Sequence, residues 1–353
     1  MKLIQNLPVT PMDIIGDVHG ELEALEMLLE KLGYQESGYH PEGRKLVFLG
    51  DLVDRGPDSP GVMEKVIELV NSGHAQCVLG NHELNLLRDD PKPGNEWFVS
   101  PDQETEYPAT KVTPEQKPVF ERFLASLPLV LERSDLRIVH ACWNAAAIDS
   151  AREIHESELG VIDFFDQNMQ SISRQLERDG VVDRRDEETQ RLAVDLKDKK
   201  MTPEYLPARA EYDAAWQMNN PVRVLTSGEE EPAGKPFWAG GKWRMVSRVP
   251  WWDHYDELVP VIIGHYWRKF GDAGKYMDDK HGPDIFVGIE PHHWMGKQCN
   301  VYCVDFSVGA RYKERGKNTP PFQGQLSALR VPEWEVVHDT REGFDIGPPG
   351  RNC

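Results

Sequence analysis

Three times in its first ninety residues the chain runs an apolar strand into a turn of glycine and polar side chains and then into a helix. Met12 to Ile15 leads into Gly16-Asp17-Val18-His19-Gly20, after which Leu22, Leu25, Leu28, Leu29 and Leu32 recur at helical spacing until Gly33. Lys45 to Leu49 leads into Gly50-Asp51-Leu52-Val53-Asp54-Arg55-Gly56-Pro57, with Met63, Val66, Ile67 and Val70 on the next helical stripe. Gln76 to Leu79 leads into Gly80-Asn81-His82-Glu83, then Leu84, Leu86 and Leu87. Strands alternating with helices predict an α/β fold whose polar residues collect at the C-terminal ends of the strands.

Further along, Pro114 to Ser126 reads as a helix and Leu127 to Leu131 and Leu136 to Val139 as strands, the second delivering His140. Residues 151–200 hold 9 basic and 13 acidic side chains, too dense a charge for a core layer. Asp149 to about Gly234 is therefore expected to be a mostly helical, solvated insertion, closed by Gly228-Glu229-Glu230-Glu231-Pro232 as a flexible acidic linker. Trp238, Trp243, Trp251 and Trp252 follow, and a hydrophobic seam explains them better than a base-stacking platform. Val259 to Ile263 is an apolar strand ending in Gly264-His265, and Val301 to Val337 reads as strands joined by a Gly- and Pro-containing loop.

The 353 residues carry 40 Lys plus Arg against 59 Asp plus Glu, a net charge of −19. A protein holding nucleic acid by broad phosphate neutralisation should be basic, so neither nucleic acid nor an anionic membrane is an expected partner. One small positive pocket remains compatible with this balance. No stretch approaches the ~18 uncharged apolar residues of a membrane span, and a cytoplasmic protein is expected. The five cysteines, an odd number in a long chain, fit reduced thiols better than a disulfide framework.

Asp17, His19, Asp51, Asn81, His140 and His265 all fall at the ends of predicted strands. Two carboxylates, three imidazoles and an amide form a donor set that Mn2+, Fe2+ or Zn2+ accepts. With these residues in place, the G-D-V-H-G, G-D-L-V-D-R-G and G-N-H-E runs resemble those of calcineurin-like metallophosphoesterases. The closest branch holds the Ser/Thr phosphoprotein phosphatases and bacterial symmetrical diadenosine tetraphosphate hydrolases. The resemblance continues through Val139-His140, Gly264-His265 and Gly324 to Arg330. It implies a β-sandwich flanked by helices in four layers, with 1–148 and 235–353 as the catalytic domain and 149–234 as a helical insertion or lid.

By the same resemblance, Asp17, His19 and Asp51 hold one divalent metal ion and Asp51, Asn81, His140 and His265 a second, with Asp51 bridging. Mn2+ is the expected ion, with Fe, Zn, Ni or Co as alternatives. Two such ions sharing a water lower its pKa toward about 7 and set the hydroxide in line with a phosphorus. His82 would be the general acid, Asp54 would fix its tautomer and Arg55 would bind phosphate oxygens. The implied activity is hydrolysis of a small phosphorylated molecule such as a nucleotide or dinucleoside polyphosphate; a Ser/Thr phosphoprotein phosphatase is the alternative, and a non-enzymatic regulatory module would have lost ligands. Two departures, Ala141-Cys142-Trp143 after His140 and Asp305-Phe306-Ser307 where Asp-Thr-Gly is usual, bear on the pocket wall. Arg244 and Arg248 are candidates for a second phosphate-binding arginine without a motif match. His292-His293 reads as a surface loop, and Cys142 as a packed thiol.

Overall fold

Most central strands are apolar on both faces, which requires each sheet to be covered twice, once by its partner sheet and once by helices. The computed structural model describes residues 2–103, 109–155, 159–192, 195–270, 284–315 and 322–353. In chain order the first part comprises β1 (Ile4–Asn6), β2 (Met12–Ile15), α1 (Leu22–Leu32), β3 (Lys45–Phe48), α2 (Ser59–Asn71), β4 (Ala75–Cys77), α3 (Asn81–Leu87), α4 (Glu96–Val99) and α5 (Lys117–Ala125). Then come β5 (Val130–Arg133), β6 (Leu136–Val139), and the helices α6 (Ala145–His155), α7 (Val161–Arg178), α8 (Val181–Leu192), α9 (Pro207–Met218) and α10 (Pro221–Ser227). The rest is β7 (Glu230–Ala239), β8 (Lys242–Arg248), β9 (Val261–Ile263), β10 (Val301–Cys303), α11 (Arg311–Arg315), β11 (Ser327–Val331), β12 (Glu335–His338) and β13 (Phe344–Asp345).

Two mixed sheets result, ordered β1-β5-β6-β9-β10 and β13-β12-β11-β2-β3-β4. Alternation along each strand sorts the side chains. Met12, Ile14, Val47 and Leu329 from one sheet meet Leu131, Ile138, Ile262 and Tyr302 from the other in one buried cluster between the sheets. Residues of opposite parity, such as Ile15, Phe48 and Cys77 on one side and Val139, Val261 and Ile263 on the other, join the helical layers. Helices α1 and α2 pack on β12 and β4, and α6 packs on β1. This is the expected sandwich flanked by helices. Gly33, with φ of 93°, ends α1 in the left-handed conformation that glycine tolerates best.

Three local expectations need correction. The acidic stretch at Gly228–Pro232 is no flexible linker: Glu230 to Pro232 open β7, which pairs with β8 in a hairpin. Trp243, Met245 and Val246 of that hairpin are buried with Ala210 of α9 and with Leu206 just before it, so one apolar face outweighs the local run of charge. Second, Cys299 and Cys353 form a disulfide with Cα atoms 5.3 Å apart, whereas Cys77, Cys142 and Cys303 are free and buried. The C-terminal segment folds back on the 294–299 turn, where the Trp294 amide donates to the Asn352 carbonyl and the Gly350 amide to that of Cys299. Third, the tryptophan seam divides, with Trp251 and Trp252 in the main core and Trp243 in the α9 cluster. The loop expected within 301–337 lies partly at 316–321, outside the described residues. No helix among the described residues is long and apolar enough to cross a membrane.

A buried ionic cluster also lies inside this frame. Asp13 of β2 is fully buried and accepts from Tyr34 Oη at 2.8 Å, Arg44 Nε at 2.9 Å and Arg330 Nε at 3.0 Å. Removing Asp13 takes the carboxylate from Arg330 and leaves Arg44 only the more exposed Glu333. Asp13→Ala is expected to lower the unfolding free energy by about 3–5 kcal/mol, read as a lower urea midpoint at unchanged slope.

Candidate metal centre

The sheet order determines where the motifs meet. β2, β3 and β4 are neighbouring parallel strands, so the turns carrying Asp17, Asp51 and Asn81 lie side by side. β6 and β9, also parallel neighbours, bring His140 and His265 to the same end of the other sheet. Asp17, His19, Asp51, His82, His140 and His265 are all buried. Several of them turn the backbone into the left-handed region: φ is 49° at His19, 46° at Asp51, 75° at Asp54, 73° at Arg55 and 70° at His265. Non-glycine residues held there signal a geometry over-determined by its surroundings. Approach is also close, because a Cβ at Gly264 would overlap the Asp17 carboxylate.

The donor atoms converge around one carboxylate. Ring nitrogens of His19 and His82 lie with an Asp51 oxygen inside a 4.8 Å group, and those of His140 and His265 form a second such group with Asp51. Asp51 thus belongs to both. Asp17 Oδ2 lies 3.8 Å from His19 Nε2, while both Asp17 oxygens accept from the His265 amide. His19 Nδ1 faces the Val53 carbonyl at 3.1 Å and His140 Nδ1 that of Leu49 at 2.6 Å, an arrangement that turns each Nε2 toward the centre. One end of the Asn81 side-chain amide lies 2.8 Å from His265 Nδ1 and 3.3 Å from both His140 Nε2 and the Thr226 carbonyl. Imidazole nitrogens gathered in this way, with two buried aspartates, suit a divalent cation.

Burial alone would raise the Asp51 carboxyl, but the imidazoles of His140 and His82 hold it well below the usual carboxylate range. The opposite sign holds at Asp17, which burial and then the Asp305 carboxylate push up. His140 loses charge stability to burial, yet Asp51 and Asp17 carry it up to about 10. His19 and His265 are pushed down by burial and by the adjacent guanidinium, Arg55 for the first and Arg248 for the second.

Around the centre, His82 Nδ1 is 2.5 Å from Asp54 Oδ2, and Arg55 Nη1 is 2.7 Å from His19 Nε2, its guanidinium lying over Trp267 at 4.7 Å. Arg248 Nη2 is 3.1 Å from His265 Nε2. Arg244, Arg248, Asn81 and His265 line one cavity of about 860 Å³. His292 is exposed, and the buried Cys142 thiol is pushed up by burial and by Glu229.

Two residues gained no role from sequence reasoning. Glu83 is fully buried and accepts from the amides of Asp51 at 2.8 Å, Leu52 at 2.8 Å and Gly80 at 3.0 Å, tying two motif turns together. Its place in G-N-H-E was the available signal. Trp97 of α4 donates from Nε1 to Asp54 Oδ1 at 2.7 Å.

The calcineurin-like phosphoesterase family matches residues 10–189. An asymmetrical bis(5'-nucleosyl)-tetraphosphatase PrpE from Oceanobacillus iheyensis is 53% identical over 79 residues, 22% of this chain and 32% of that protein. A PrpE of the same description from Geobacillus thermodenitrificans is 40% identical over 139 residues, 36% of this chain and 56% of that one. The chain therefore spans from just under a third to just over half of the length of these curated relatives. Among solved structures, a cold-active protein-tyrosine phosphatase of a psychrophilic Shewanella aligns over 98% of this chain and 83% of its own, with 15% identity and a TM-score of 0.45. Because the family match runs from just before β2 into α8, over half of the chain, this protein belongs to the calcineurin-like phosphoesterases, a family that binds two metal ions.

Proposed function

We propose that the chain is a metal-dependent phosphoester hydrolase acting on a small phosphorylated molecule such as a nucleotide or dinucleoside polyphosphate. The observation that carries this reading is the sharing of buried Asp51 by two His/Asp groups. In it, Asp17, His19 and Asp51 hold one cation, and Asp51, Asn81, His140 and His265 hold the other. When bound, a pair of divalent cations, Mn2+ the expected ion, polarises a phosphoryl oxygen and acidifies water toward a pKa of about 7.

The remaining work belongs to side chains. Arg55 and Arg248 flank the centre and bind non-bridging phosphate oxygens through their guanidinium forks. As a hydroxide oxygen derived from water bonds to phosphorus and the P–O bond to the leaving group breaks, His82 would give its Nε2 proton to the departing oxygen and become neutral. Nδ1–H stays on Asp54 Oδ2 throughout, and Trp97 holds the second oxygen of that carboxylate, so the imidazole keeps one orientation. Asp54 and Trp97 are positioning residues. The cavity over the centre, roofed by α9 and the β7–β8 hairpin, supports a small substrate, and the 149–234 insertion reads as its lid on the catalytic domain formed by 1–148 and 235–353. The tetraphosphatase descriptions of the curated relatives support a nucleotide polyphosphate.

Several outcomes are expected. With Mn2+, the purified protein should release phosphate from nucleotides and from p-nitrophenyl phosphate in a malachite-green assay; release from phosphopeptides alone would overturn the small-substrate reading. His82→Ala should lower kcat by about 10² to 10⁴. Asp51→Asn should reduce bound manganese, measured by elemental mass spectrometry, together with turnover, and an unaltered metal content would remove its bridging role. Trp97→Phe keeps a ring in the core and deletes one donor; kcat should fall about tenfold with KM steady, the size of one charge-assisted hydrogen bond.

A further inference from the structure

On a chain of net charge −19, the cavity above the metal centre is lined by six cationic side chains and two carboxylates. Asn81 and His265 form one end of it, and Lys242 and Arg244, beside the Gly240-Gly241 turn of the hairpin, lie on its wall with Arg223 of α10. Lys92 is paired with Asp90 at 2.8 Å, and the cavity's Asp213 is paired with Arg209 at 2.9 Å. By contrast, no carboxylate of the described residues lies within 4.0 Å of the charged nitrogens of Arg223, Lys242 or Arg244. Two buried donors of the lining, Arg223 Nε and Trp216 Nε1, have no acceptor among the described residues. Glu230, the cavity's other carboxylate, acts on Arg244, Arg248 and Arg223 from beyond ion-pair distance and offsets only part of their charge; the repulsion left among these cations is relieved when an anion enters. Burial and then Arg244 push Lys242 down, and burial lowers Arg244 and Arg223.

One orthophosphate at the centre, met by Arg55 and Arg248, leaves these three cations unused. The volume of about 860 Å³ extends well past a single phosphate. We propose that Arg223, Lys242 and Arg244 form a distal anion subsite, which takes the phosphates that follow the scissile one, so that the site selects a linked phosphate chain over a monophosphate. The assignment rests on the phosphohydrolase reading for the scissile position, but the subsite itself is a property of the hairpin and α10. Arg244 has the geometry to do most: its Nε donates to the Ala239 carbonyl at 3.2 Å, which anchors the guanidinium and leaves its terminal nitrogens for oxygen atoms.

The test uses the full chain and two readouts. With metal stripped by chelation, calorimetry should show inorganic tripolyphosphate binding at least about tenfold tighter than orthophosphate. Arg244→Gln and Lys242→Gln should each weaken tripolyphosphate binding about tenfold or more, the loss of one charge-assisted contact, while Arg244→Lys should recover most of it. In the Mn2+-loaded protein, Arg244→Gln should lower kcat/KM for tripolyphosphate relative to that for p-nitrophenyl phosphate by a similar factor. Equal affinity for the two anions, or tripolyphosphate binding indifferent to both substitutions, would overturn the subsite. Absence of all metal-dependent turnover with intact, Arg244-dependent tripolyphosphate binding would instead overturn the hydrolase reading and leave the subsite standing.

Discussion

The polar end of the sandwich is organised by the need to keep one carboxylate ionised in a place that water barely reaches. Asp51 is 2% exposed, and desolvation would protonate it. His140 and His82 on either side reverse that tendency, and the Glu83 carboxylate grips the amides of Asp51 and Leu52 so that the side chain cannot turn away. Glu83 is itself pushed up to about 7, by burial and then by Asp51. Two carboxylates in one interior are tolerable because three backbone donors and a ring of imidazoles surround them.

This demand reaches into the sheets. Short parallel strands with apolar residues on both faces allow β2, β3 and β4 to end at one level, and β6 and β9 opposite them, which is why residues so far apart in sequence converge. The left-handed backbone at His19, Asp51, Asp54, Arg55 and His265 costs of order 1–3 kcal/mol per residue, and the buried cluster between the sheets offsets it.

Sequence reasoning reached the strand–turn–helix units and the six strand-end donors because both are local. A strand ending in Gly-Asp or Gly-Asn announces its own position. Trp97 escaped a role because its partner, Asp54, is 43 residues earlier and the contact depends on how α4 packs. The hairpin was hidden by composition: Glu229, Glu230 and Glu231 look like solvated linker, while the packing of Trp243, Met245 and Val246 on α9 that overrides them is tertiary. The Cys299–Cys353 pairing could not be read from an odd count, since only the fold shows the C-terminal segment returning to the 294–299 turn.

The long excursion of residues 140–260 leaves the sheet at β6 and re-enters at its immediate parallel neighbour β9, with Ile138 opposite Ile262. Both ends of that excursion are therefore held at one fixed spacing, whatever lies between them. Loop-closure entropy rises only logarithmically, about 0.6 kcal/mol for each doubling of length, so the sandwich is nearly indifferent to how much chain is inserted there. Under the proposed function, the wall over the centre can be lengthened, shortened or exchanged as a cassette while the strand-end donors stay as they are. Selectivity and chemistry would then be separable, joined at the two adjacent strands that deliver His140 and His265.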